Sequence, residues 1–154
     1  MKYPTLFVRL WALRNVFLLY FVKPRVLEVN EQRCVVRIPL NWRTKNHLNS
    51  MYVGTLCIGA DVAGGLISFD LMQKRGVKLA FVFKDMHCEF VKRADGDVHF
   101  TNVDGAAIVD MVDRAIATGE RAETIVHVIA TVPSKYGEEP VAKFEMTLSV
   151  KKAR

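Results

Sequence analysis

The chain has 154 residues, 51% hydrophobic and 25% charged, which is enough apolar content for one buried core and too much for a disordered chain. Nine Gly and five Pro exclude a collagen-like or low-complexity sequence, and three scattered Cys (Cys34, Cys57, Cys88) with no CxxC exclude a disulfide scaffold and point to a reducing, cytoplasmic compartment. The net charge of +6 is concentrated in residues 1–50, which hold nine Lys/Arg against two Glu, so an anionic partner would be met there. On charge alone that partner can be a phosphate-bearing ligand, a membrane surface or nucleic acid.

Residues 1–23 read as an amphipathic helix, with Leu6, Leu10, Leu13 and Phe17 at three-to-four spacing, docked on the edge of a single domain spanning 1–154. Arg9, Arg14 and Lys23 interrupt its apolar run. The longest uncharged stretch, Asn15 to Val22, is far short of the ~20 residues that span a bilayer. Peripheral membrane contact is the lesser reading of this helix. Pro24 ends it. Arg25 to Leu40 reads as extended, β-favouring chain with a bend at Asn30-Glu31, limited by Pro39. Asn41 to Ser50 is a polar loop.

Residues 51–75 read as the central helix, capped by Asn49 or Ser50, with Leu56, Ala60, Ala63, Ile67 and Leu71 at helical spacing and Gly76 as the stop. It is apolar on nearly all sides, so the fold encloses it. Its glycines imply close backbone approach, because each helical Gly costs about 1 kcal/mol relative to Ala. Lys78 to Arg93 reads as a strand, and Asp95-Gly96 as a hairpin turn into Val98–Val103. A helix over Asp104–Thr118 and strands over Glu123–Val132 and Val141–Lys151 complete the chain. The fold class is α+β, an antiparallel sheet wrapped around a central helix.

That arrangement is the hotdog fold, and the segment Asn46 to Gly54 followed by Asp61 resembles the active-site segment of phenylacetate-pathway-type acyl-CoA thioesterases. In that family an Asn precedes by six residues a His-Gly-Gly that opens the helix, and an acid follows nine residues after the His. Asn46, Tyr52, Val53, Gly54 and Asp61 occupy these positions with both spacings kept. Over roughly residues 25–151 the chain looks most like the uncharacterised, DUF4442-like branch of the superfamily. The resemblance implies a homodimer, or a dimer of dimers, with the site between subunits. It also implies hydrolysis of an acyl-CoA or acyl-carrier thioester, with coenzyme A entering only as part of the substrate and no cofactor required.

Asp61, the expected base or nucleophile, would then work with Asn46 and Tyr52 as positioning groups and the Val53 and Gly54 amides as oxyanion donors. Tyr52 departs from the family's His. A phenol with a pKa near 10 donates a hydrogen bond but is a poor base at neutral pH. That departure keeps a second reading open, a non-catalytic acyl or lipid-binding protein. A dehydratase or hydratase using His47 ranks last.

Arg43 and Lys45 beside the motif, and Lys92 and Arg93 further on, are candidate partners for coenzyme A phosphates. His87, Cys88 and His99 are candidate metal ligands, but neighbours on a strand point to opposite faces, so no metal site is expected. Ser50 reads as a helix cap and Cys57 as core. Phe81, Phe83 and Phe90 alternate along a strand as core residues do, and no nucleic-acid partner is expected.

Overall fold

In the computed structural model, which describes residues 2–153, six strands form one antiparallel sheet in the order β1-β2-β4-β5-β6-β3. The strands are β1 (Arg25–Val29), β2 (Cys34–Ile38), β3 (Leu79–Phe90), β4 (Val98–Asn102), β5 (Ala122–Thr131) and β6 (Pro140–Lys152). The helices are α1 (Pro4–Asn15), α2 (Phe17–Phe21), α3 (Val53–Arg75), α4 (Gly105–Thr118) and the single turn α5 (Pro133–Tyr136). The sheet curls around α3, which packs against β1, β2, β4, β5 and β6. This is the hotdog fold.

The apolar repeat of α3 is what encloses it: Leu56, Ala60, Ala63, Ile67 and Leu71 are all buried. By length and composition α3 could cross a membrane, with a mean hydropathy of 1.4, but 72% of that window is buried inside the fold. It is therefore the core helix, and Gly76 ends it at φ 61°, in the left-handed conformation.

Its glycines meet the sheet. A Cβ on Gly59 would lie 2.3 Å from the ring of Phe100, a fully buried β4 residue. On Gly64 it would reach the Met146 side chain at 2.8 Å, and on Gly65 the Phe81 ring at 3.2 Å. The backbone of α3 thus approaches the sheet most closely at Gly59, under the fully buried Phe100 ring. Gly59→Ala is expected to cost about 1–3 kcal/mol of strain, more than the ~1 kcal/mol of helix propensity it gains. A thermal melt at fixed concentration checks this, and a Phe100→Leu background should absorb part of the loss. An unchanged melting temperature would show that Phe100 can move aside.

Several expectations are corrected. Asp95-Gly96 is not a hairpin turn, because β3 pairs with β6 whereas β4 lies between β2 and β5. The dipeptide sits in a crossover, where the Asp95 carboxylate pairs with Lys135 and accepts a hydrogen bond from the Tyr136 hydroxyl at 3.2 Å. His87-Cys88 and His99 therefore lie on strands separated by β5 and β6, not on neighbours. The N-terminal helix is also two pieces, broken at Val16 (φ −143°, ψ 83°).

That helix docks by the face opposite to the one expected. Val8, Ala12 and Leu19 are buried, while Leu6, Leu10, Leu13 and Phe17 are exposed. Apolar residues on both sides made its spacing ambiguous.

The two sheet edges differ. At β1, the Thr5 hydroxyl from α1 accepts from Val26 N at 3.0 Å and donates to Val26 O at 3.2 Å, which caps that edge at Val26. At the other end β3, 12 residues long, pairs on one side only among the described residues.

Candidate functional site

The motif segment is a loop pinned from several directions. Tyr52 N donates to Thr44 O at 2.8 Å, and Met51 N to Ala94 O at 2.7 Å. The Asn46 side-chain oxygen accepts from Leu48 N at 2.9 Å and Ser50 N at 3.1 Å, which folds the loop back on itself. Asn46 is thus a loop organiser through its oxygen, and its Nδ2 remains available as a donor. His47 is exposed beside it.

Neither expected cap reaches the helix. Asn49 takes a positive φ of 58°. Ser50 instead accepts from Arg93 Nε at 3.0 Å, while Arg93 Nη2 donates to Leu48 O at 2.6 Å. Arg93 is therefore a strut for the loop. Arg93→Ala should speed amide hydrogen exchange over Leu48–Met51 by roughly fivefold, because an exposed charged hydrogen bond contributes about 1 kcal/mol. Unchanged exchange there would show that the loop holds without it.

The residue at the helix N-cap is Tyr52 (φ −65°, ψ 140°), with no side-chain cap. The first intrahelical bond runs from Leu56 N to Tyr52 O at 3.1 Å, so the Val53 and Gly54 amides at the start of α3 have no partner inside the helix. Tyr52 is half exposed and lays its ring along the first turn, where a Cβ on Gly54 would stand 2.6 Å from Tyr52 Cε1. An uncapped helix start carries partial positive charge and donors that suit an oxyanion.

Asp61 lies eight residues beyond Val53, about 12 Å along the same helix at 1.5 Å per residue. Its carboxylate is half-buried and makes no hydrogen bond or ion pair among the described residues. Burial pushes its pKa above the ordinary 3.8. It opens on two adjoining cavities of about 500 and 240 Å³, which share Val16, Leu19 and Asp61 in their walls. Phe7, Val8 and Trp11 of α1 and Phe69 and Phe81 from the core side complete the larger one, and Cys57 and Met86 line the smaller. The sequence offered no pointer to these α1 and α2 wall residues, because the stripe it displayed most clearly faces outward.

The basic candidates do not converge. The Arg43 guanidinium stacks 4.6 Å from the Trp42 ring, and Lys45 Nζ donates to Asn49 Oδ1 at 2.9 Å. Lys92 pairs with Glu139. No group of three or more metal-ligating side chains gathers among the described residues.

One chain therefore keeps these groups apart: uncapped amides with Asn46 and Tyr52 lie at the start of α3, and a half-buried carboxylate faces an apolar cavity two turns on.

Solved structures with the same fold include a Shewanella oneidensis protein proposed to be a thioesterase. It is 16% identical, with 99% of this chain and 100% of that one covered at a TM-score of 0.81. A Chlorobaculum tepidum protein of unknown function is 12% identical, with coverage of 97% and 94% and a TM-score of 0.82. A Pseudomonas aeruginosa protein of unknown function, also proposed to be a thioesterase, is 21% identical, with coverage of 97% of each chain and a TM-score of 0.77. No curated protein matches the sequence. The family model described as "Domain of unknown function (DUF4442)" matches residues 8–150, nearly the whole chain. The chain belongs to the DUF4442 family.

Proposed function

We propose that the protein hydrolyses an acyl thioester at a site completed by two copies of the chain. The observation that carries this is Asp61, a carboxylate without a polar partner among the described residues, held in the wall of an apolar chamber. A structural Asp on a buried helix acquires hydrogen bonds, because an unpaired desolvated carboxylate costs several kcal/mol. One kept unpaired beside an empty apolar volume is arranged to meet a substrate.

The reaction needs oxyanion donors within hydrogen-bond reach of the carbonyl that the base or nucleophile addresses. At about 12 Å the amides of the same helix are too far from Asp61 to serve it. A second copy, paired through the open edge of β3, supplies its own α3 start instead.

In the resulting site Asp61 accepts a proton from water as the water oxygen bonds to the thioester carbon. The oxyanion rests on the partner's Val53 and Gly54 amides. The C–S bond then breaks and the proton passes to the leaving sulfur. Direct attack by the carboxylate, through an anhydride, satisfies the same geometry. The Asn46 Nδ2 and the Tyr52 hydroxyl, neither engaged among the described residues, orient the water and the acyl group. The similarity to two proteins proposed to be thioesterases supports the reaction class. Arg43 and Lys45, beside the loop, are the basic groups best placed to receive a coenzyme A phosphate. Lys92 and Arg93 are committed to Glu139 and to the loop.

The test is thiol release from short, long and aromatic acyl-coenzyme A substrates, with Asp61→Ala beside the natural chain. Removal of a general base costs about 10²–10⁴ in rate. A drop of that size supports the reading, and equal rates in both proteins overturn the assignment of Asp61. No release from any substrate, with the protein folded, replaces hydrolysis by acyl binding.

A further inference from the structure

We propose that α1 is a docking face for an anionic lipid surface. Its outward stripe is apolar and open: Leu6 is 56% exposed, Leu10 59% and Leu13 48%. At 100° per residue these three fall within an arc of about 60°. Phe17, 62% exposed, continues the line beyond the break at Val16.

Basic residues border this stripe on both sides. On a helical wheel Arg9 lies about 60° to one side of Leu6 and Arg14 about 80° to the other. Arg9 Nε donates to Pro24 O at 3.1 Å and its Nη2 to Lys23 O at 3.4 Å, which ties the backbone of the basic Lys23–Arg25 segment to the Arg9 side of the helix. In the first 27 residues Lys2, Arg9, Arg14, Lys23 and Arg25 are opposed by no Asp or Glu. Beside α2, Trp42 is exposed and meets Phe21 edge to face at 5.9 Å with Arg43 stacked on it, an aromatic and basic pair suited to a headgroup layer.

An apolar helix face edged with cations on both flanks fits the boundary between acyl chains and anionic headgroups. A second copy fits it poorly. A self-complementary contact through this face would bring one copy's basic flanks, Arg9 and Arg14, against the same basic flanks of the other, with no Asp or Glu on α1 to pair with them.

The docking stands whether or not the protein hydrolyses anything. Its consequence for substrate rests on the hydrolytic reading: the inner faces of α1 and α2 wall the Asp61 chamber. A docked protein would therefore hold that chamber against the lipid, where long-chain acyl thioesters partition.

Co-sedimentation of the full chain with phosphatidylglycerol/phosphatidylcholine vesicles, and with phosphatidylcholine vesicles alone, tests the docking without reading turnover. Binding is expected to the mixed vesicles only, and to weaken at about 0.5 M salt. Leu6→Gln with Leu10→Gln, both at exposed positions, should lower it by at least about tenfold, as should Arg14→Glu alone. Equal binding to both vesicle types, no binding to either, or unchanged binding by both variants would overturn the proposal. So would dissociation of an oligomer by Leu6→Gln with Leu10→Gln in analytical ultracentrifugation, which would show a second copy on this face.

Discussion

Asp61→Asn should make the protein more stable and less active at the same time. The replacement keeps the shape and removes the charge that burial disfavours. Because burial raises the folded-state pKa above 3.8, the native protein binds this proton more tightly than the unfolded chain does. Below 3.8 the carboxyl is protonated in both states and Asp and Asn should be nearly equivalent. As the pH rises through the folded-state value the native protein must carry the charge, and the stability deficit of the natural chain grows to its full size. At neutral pH Asp61→Asn is therefore the more stable protein, with the gap closing as the pH falls toward 3.8.

Activity runs the other way. Thioester hydrolysis should fall by about 10²–10⁴. In the natural chain the acid limb of the rate profile should lie above the ordinary carboxylate range. Denaturant melts across pH, read beside the rate profile, check both halves. A less stable Asn variant would show that Asp61 holds the fold together rather than serving a substrate.

Val53→Pro should abolish most turnover while leaving the fold intact. Val53 is the first residue of α3, where proline is tolerated because its missing N–H has no helical partner. The preceding residue must be extended, and Tyr52 already is, at φ −65° and ψ 140°. The substitution thus deletes one backbone donor and little else. Loss of a single oxyanion donor costs about 2.7–4 kcal/mol of transition-state stabilisation, or 10²–10³ in kcat. KM should change little, because the donor acts on charge that develops only in the transition state. A normal kcat with a folded Val53→Pro protein would remove the start of α3 from the mechanism.

The parts of this molecule that were legible in the sequence are those governed by local periodicity. The apolar repeat from Leu56 to Leu71 located the enclosed helix, and Ile108, Met111, Val112 and Ala115 gave the buried face of α4. The glycines of α3 announced its close approach to the sheet. Asp61 interrupts that apolar repeat, and in the fold it is half-buried in the wall of a cavity.

What was not legible depends on distant partners. Asp95-Gly96 has the chemistry of a tight turn, yet β3 pairs with β6, more than fifty residues away, a partner that no local pattern names. Ser50 looked like a cap, but Arg93 claims its hydroxyl from 43 residues along the chain. The N-terminal helix is apolar on both faces, so spacing alone could not say which face the core would take. Its neighbours decided, and buried Val8 and Ala12.

The claim that most needs a direct test is that each site is built from two chains. Asp61→Ala and Val53→Pro chains, each inactive alone, should be co-expressed with different tags and the mixed dimer purified through both. If one chain gives Asp61 and the other gives the α3 amides, the mixed dimer holds one site with both defects and one with neither. Thiol release from that dimer is expected at about half the natural rate, since one of two sites is intact. A mixed dimer as inactive as its parents would contradict it, and would place the carboxylate and the donors of each site on the same chain.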